Sequence, residues 1–329
     1  MEIRFGQELT AQLKTQLPAP LLLLAPEPLL SLLIDRLQPE MALPLPAVNP
    51  EAAAALAEQA AKSAAALAVG NGFILTEARR LCGGVGARLI LAPTLVCAEA
   101  VETGLGREPD LVIVDYSAIW AGQEEISRAA AGEILSLLTA VADWKRASAA
   151  GQAEFDQARA DEILELVDRL LDRSDDIFDL TPAGITLLYD LFLERERLAA
   201  AMGSRRAVEG SEHILAARLA TVAPAAARGQ LLCLATVLMS ELHGQGSRAV
   251  KQFLYWIRAQ WKPEELGISE PNLAKAMMGL PAFAKQGGYP HTILNEVEMP
   301  PEKVKQVFLA MRASIIQSSL EKRDDDKPK

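Results

Sequence analysis

The sequence predicts an α/β N-terminal domain with a parallel sheet followed by an all-α C-terminal domain. Three observations carry this reading. Short apolar runs alternate with helix-like stretches between Leu17 and Asp115, strand-like runs stop there, and from Glu124 onward the pattern is helical. Alternation of this kind is the rhythm of βαβ units, in which a helix returns the chain to the next parallel strand.

The elements follow in order. The run Leu21–Leu24 reads as a buried strand, because Pro26 and Pro28 end it far short of the roughly 20 residues that a bilayer span needs. The Ala-rich stretch Glu51–Ala66 is helix-like, and ALAVG, ending at Gly70, is the next strand. RLILAPT from Arg88 and LVIVDYSAIW from Leu111 supply two more. In the second part, Asp161–Leu171 repeats apolar residues at helical spacing. Thr181-Pro182 sets an N-cap with proline at the first helical position, followed by Ile185, Leu188 and Leu191. The expected division is 1–123 for a nucleotide-type α/β domain, 124–320 for the helical domain and 321–329 for a disordered charged tail, with ligands bound in a cleft between the domains.

Composition narrows the function. The 329 residues are 50% apolar, enough for a large core, and the net charge of -10 leaves no basic face for nucleic acid. Small ligands or proteins remain as partners. Cys82, Cys97 and Cys233 are odd in number and lack CxxC spacing, which predicts reduced core thiols in a cytoplasmic protein. Met1–Leu17 carries Glu2, Arg4, Glu8 and Lys14, so it is not expected to be a secretory signal. With three histidines and no nucleophile elbow or P-loop, nucleophilic hydrolysis has little support. Trp144, Tyr189, Trp256 and Trp261 fall within helical patterns and are expected in the core. Arg248, Lys251 and Arg258 are expected on a charged outer face.

The tetrad Gly210-Ser211-Glu212-His213 looks like half of a metal site. Together with TAVADWK from Thr139, DDIFDLTPAGITLL, MGSRRAVEGSEH, RGQLLCLATVLMSELHG from Arg228 and YPHTILNEV, it resembles the glycerol-1-phosphate dehydrogenase branch of the iron-containing alcohol dehydrogenase and dehydroquinate synthase superfamily. The resemblance spans nearly the whole chain and implies a dehydroquinate synthase-like fold, NAD(P) and a metal ion such as zinc.

Set against the motifs of that family, three sites are altered. The nucleotide turn resembles VGGGSxxD but reads Val69-Gly70-Asn71-Gly72-Phe73-Ile74-Leu75-Thr76, with a bulky ring where a phosphate-facing hydroxyl is expected. Of a PTxxSxDG element, Ala92-Pro93-Thr94 survives without the serine or the Asp-Gly pair, and Glu99 is a weak substitute for the acid. The metal ligands implied are an acid at Glu133, a first histidine at His213 and a second at the position held by Arg228. An arginine has no lone pair and carries its own positive charge, so it cannot ligate a cation.

Two readings follow. In the first, the chain is a noncatalytic or regulatory relative that expects no cofactor and no metal and binds a small phosphorylated molecule or a protein partner, with homo-oligomers possible. In the second, it is an NAD(P)H-dependent reductase of a polyol phosphate such as dihydroxyacetone phosphate. For that reading the resemblance implies Gly70, Asn71, Gly72 and Thr94 at the cofactor, Glu133 and His213 at any metal, Arg228 at the developing alkoxide, and Ser204, Arg205 and His243 along the substrate cleft. A paired Arg228 and Glu133 is the arrangement that would replace the metal with a built-in cation.

Overall fold

The computed structural model describes residues 1–13, 16–46 and 50–313; the charged segment 321–329 lies outside the described residues. The described residues pack into two compact units, 1–130 with 179–196 and 131–178 with 197–313. A single cut at 123/124 therefore misses a return segment: residues 179–196, which include the start of the helix Pro182–Met202, pack with the first unit.

The first unit is built on six parallel strands: β1 (Glu2–Gly6), β2 (Leu21–Ala25), β3 (Met41–Pro44), β4 (Ala65–Gly70), β5 (Arg88–Pro93) and β6 (Leu111–Asp115). They lie in the order β1-β6-β5-β4-β2-β3. All residues of β2, β4 and β6 are buried, which is why these strands read as continuous apolar runs. Leu23, Leu67, Ile90 and Ile113 lie in one core with Leu30, Leu33 and Leu37 of the helix Glu27–Leu37.

The edges are different. In β1 burial alternates at first, and β3 is only partly buried, so neither gives a continuous apolar signal. The chain leaves β2 for β3 on one side and β4 for β5 on the other, which makes the β2–β4 junction the topological switch point of the sheet. Ligands of open parallel sheets bind outside the carboxyl ends of the strands at such a point. The turn at Gly70–Gly72 begins there.

The second unit is helical and is organised around the helix Arg228–His243, buried from Gln230 through Ser240. A helix apolar on all sides has to be enclosed by others; it packs against Gly132–Leu135, Leu137–Ala149, Ser211–Ala220, Ser247–Trp256 and Pro301–Arg312. Trp144 and Trp261 are buried here, as Tyr189 is in the first unit, but Trp256 is 59% exposed, its indole N–H donating to Asp175 at 3.0 Å. Lys251 is not on an outer face. Its Nζ is drawn inward to Glu241 at 2.9 Å and to the Ala310 carbonyl at 2.8 Å.

All three cysteines are buried and none is in a disulfide. Burial pushes the Cys82 thiol up to about 11 and raises that of Cys233 further. An aromatic disulfide reagent should therefore titrate essentially no thiol in the native protein and three in denaturant; rapid reaction of a native thiol would contradict this burial.

Candidate functional site

The second unit brings Glu133, His213 and Arg228 together. Gly132 makes the approach possible: a Cβ there would lie 2.6 Å from the Gly229 carbonyl oxygen and 2.7 Å from Cys233 Sγ, so the two helix backbones meet where glycine has no side chain. The next residue, Glu133, then faces Arg228, the first residue of its helix. Gly132→Ala should cost about 1–3 kcal/mol by overpacking this contact, measured by urea denaturation; an unchanged midpoint would rule the tight contact out.

Arg228 donates from one terminal nitrogen to Glu133 Oε2 at 3.3 Å. Its Nε lies 3.1 Å from Oε1, an ion-pair approach without an aligned hydrogen bond. The same terminal nitrogen stands 3.5 Å from His213 Nε2, at the outer limit of a hydrogen bond. The Glu133 carboxylate is almost wholly buried, whereas the Arg228 side chain is 26% exposed.

A second carboxylate sets the imidazole. Glu212, fully buried, has Oε1 2.9 Å from His213 Nδ1 and 2.7 Å from the Gly210 N–H that it accepts, while Oε2 accepts from Thr139 Oγ1 at 2.7 Å. These partners assign the proton to Nδ1 and leave the Nε2 lone pair facing Arg228. A carboxylate behind the far nitrogen of a histidine is how metal-binding imidazoles are oriented. Here the oriented lone pair meets a guanidinium. Among the described residues, no group of three or more His, Cys, Asp and Glu side chains could hold a metal ion. The donor set does not fit one: two candidate ligands face a cationic side chain that has no lone pair to give.

Asp143 fixes the backbone of the tetrad. One oxygen accepts from the Ser211 N–H and the other from the Ile293 N–H, both at 2.7 Å. His243, for which the sequence leaves open lining the cleft or packing, has a buried side chain, with Nε2 3.3 Å from Asp143 Oδ1 and Nδ1 accepting from Arg146 Nε at 3.3 Å. Arg146 also reaches Glu296, whose carboxyl is held below its ordinary value chiefly by the hydrogen bond with His291, against burial, which raises it, with Arg146 adding to the lowering.

The basic loop is internally occupied too. Arg205 pairs with Glu209 at 2.6 Å, Arg206 donates to the His291 carbonyl at 3.1 Å, and Ser204 Oγ accepts from the Arg206 N–H at 3.2 Å. Sequence patterns do not show that the Arg206 guanidinium is occupied, because the carbonyl to which it donates lies 85 residues away.

In the first unit the cofactor candidates are neighbours. Gly70 and Pro93 are paired in register, and the Thr94 N–H donates to the Gly70 carbonyl at 2.9 Å. Asn71 is the N-cap of the helix Gly72–Leu81, its side chain accepting from the Ile74 N–H at 3.2 Å. Phe73 does not plug the turn; its ring is 60% exposed. Both glycines are explained by internal packing, since a Cβ on Gly70 would lie 2.8 Å from Ile74 and one on Gly72 would meet the Glu99 carboxylate.

The six-stranded parallel sheet and helical remainder are the fold of the iron-containing alcohol dehydrogenases. The chain superposes on a probable glycerol dehydrogenase from Sinorhizobium meliloti with a TM-score of 0.66, at 16% identity over 95% of this chain and 96% of that one. It superposes on the sulfoacetaldehyde reductase of Bifidobacterium kashiwanohense, solved with NAD+, with a TM-score of 0.58, at 13% identity over 95% of this chain and 98% of that one.

Within that fold, the sequence resembles the glycerol-1-phosphate dehydrogenases. It is 24% identical to the glycerol-1-phosphate dehydrogenase (NAD(P)+) of Sulfurisphaera tokodaii over 225 residues, 64% of each chain. It is 29% identical to that of Methanosarcina barkeri over 171 residues, 52% of this chain and 48% of the relative. The chain thus spans less than two thirds of the length of these relatives. No family model matches it. No helix among the described residues is long and apolar enough to cross a membrane.

Proposed function

We propose that this chain is a glycerol-1-phosphate dehydrogenase-like protein in which Arg228 stands as an internal cation in the place of a metal ion. Metal-dependent NAD(P) oxidoreduction is lost, and the protein acts by binding, as a regulatory or ligand-holding relative in the cytoplasm. The observation that carries this is the guanidinium 3.1 and 3.3 Å from Glu133 and 3.5 Å from His213. A buried carboxylate with no cation beside it is costly, and Arg228 supplies the charge. A metal ion entering the site would have to displace a paired guanidinium and then find only two ligands, one fewer than a catalytic zinc site provides.

The ligand class in this reading is a small phosphorylated molecule or a protein partner, supported by the resemblance to enzymes named for a phosphorylated polyol. A second reading, NAD(P)H-dependent reduction of a polyol phosphate such as dihydroxyacetone phosphate, draws on one observation. Arg228 and His213 set a cation beside an oriented imidazole, a pair able to stabilise an alkoxide and handle its proton without a metal. Incubation with dihydroxyacetone phosphate and NADH or NADPH, with and without Zn2+, separates the two. The first predicts no nicotinamide oxidation under either condition; turnover abolished by Arg228→Ala would establish the second.

A further inference from the structure

The helix that carries Arg228 at its head carries His243 as its last residue, just before the left-handed Gly244. The His243 side chain is only 1% exposed. Its ring lies between Asp143 and Arg146, two residues of the helix Leu137–Ala149 at the spacing that shares one helix face. Arg146 Nε donates to His243 Nδ1 at 3.3 Å, and His243 Nε2 stands 3.3 Å from Asp143 Oδ1, short of an aligned hydrogen bond.

These contacts choose a tautomer. A guanidinium can only donate, so Nδ1 keeps its lone pair and the ring carries its proton on Nε2, towards the Asp143 carboxylate. This is the reverse of His213, whose Nδ1 carries the proton beside Glu212 Oε1 at 2.9 Å. A carboxylate turns readily about its terminal torsion and can exchange its two oxygens, but with the His243 N–H and the Ile293 N–H both at Oδ1, Oδ2 is left to the Ser211 N–H. The outer end of the relay reaches the surface. Arg146 is 39% exposed and also donates to Glu296 at 2.8 Å.

We propose that His243 is a positioning residue for His213. With its tautomer set by Arg146, it holds the Asp143 carboxylate in the orientation that fixes the Ser211 N–H, and the helix Ser211–Ala220 carries that constraint to the imidazole. This goes beyond the reading of Arg228 as an internal cation. It concerns how the imidazole is aimed, so either can fail alone.

Long-range 1H–15N spectra of the imidazole rings test it in the wild type, His243→Leu, His243→Gln and Arg146→Met, with circular dichroism establishing that each variant is folded. Only three histidines have to be assigned. The wild type is expected to show opposite patterns, a protonated Nδ1 in His213 and a protonated Nε2 in His243. In His243→Leu the two nitrogen shifts of His213 should move towards each other, as the fixed tautomer is lost. His243→Gln should retain the wild-type His213 pattern, because its amide can donate to Asp143 and accept from Arg146. Arg146→Met leaves the core ring in place, and should lose the single tautomer of His243 and blur that of His213. A protonated Nδ1 in wild-type His243 would overturn the proposal. So would an unchanged His213 pattern in folded His243→Leu or in Arg146→Met, which would reduce His243 to packing.

Discussion

Replacing Arg228 with alanine is expected to destabilise the second unit by about 2–4 kcal/mol, somewhat below the cost of breaking a fully buried pair because the arginine is partly exposed. The loss comes less from the missing attraction than from what remains, a Glu133 carboxylate that is almost wholly buried and has lost its cation. The double variant Glu133→Leu with Arg228→Met should recover most of the loss, since two apolar side chains leave no buried charge. Denaturant midpoints of the two singles and the double give the coupling directly. Additive losses would mean that the pair does not hold the site together.

Asp143→Ala should be at least as damaging, about 3–5 kcal/mol, because two short charge-assisted bonds are lost at once and the Ser211 and Ile293 N–H groups are buried without an acceptor. The second effect is positional. Ser211 begins the helix that carries Glu212 and His213, so the imidazole should lose its fixed orientation. The His213 ring resonances in an NMR spectrum would report this; a sharp, unshifted His213 signal in Asp143→Ala would contradict the positioning role.

What the sequence made legible follows from how each signal arises. The strands β2, β4, β5 and β6 announce themselves because burial on both faces demands continuous apolar residues, while β1 and β3 lie at the edges and carry no such constraint. Thr181 caps its helix as the Thr-Pro pair predicts, accepting from the Gly184 N–H at 3.0 Å. Glu133, His213 and Arg228 were readable as candidates from motif order, although they stand up to 95 residues apart.

Gly132, Glu212 and Asp143 were not readable in the same way. Their work depends on which backbone or ring lies opposite, and periodicity does not encode that. Lys251 misled for the same reason: a charged residue on a helix resembles a solvated one until a distant carbonyl closes over it.

The central claim is that the guanidinium of Arg228 holds the place of a metal ion, and zinc titration calorimetry of the wild type beside Arg228→His tests it most directly. The account predicts no stoichiometric Zn2+ binding by the wild type. One site per chain is expected in Arg228→His, where a third ligand would join Glu133 and the already oriented His213. Stoichiometric Zn2+ binding by the wild type that His213→Ala abolishes would contradict it.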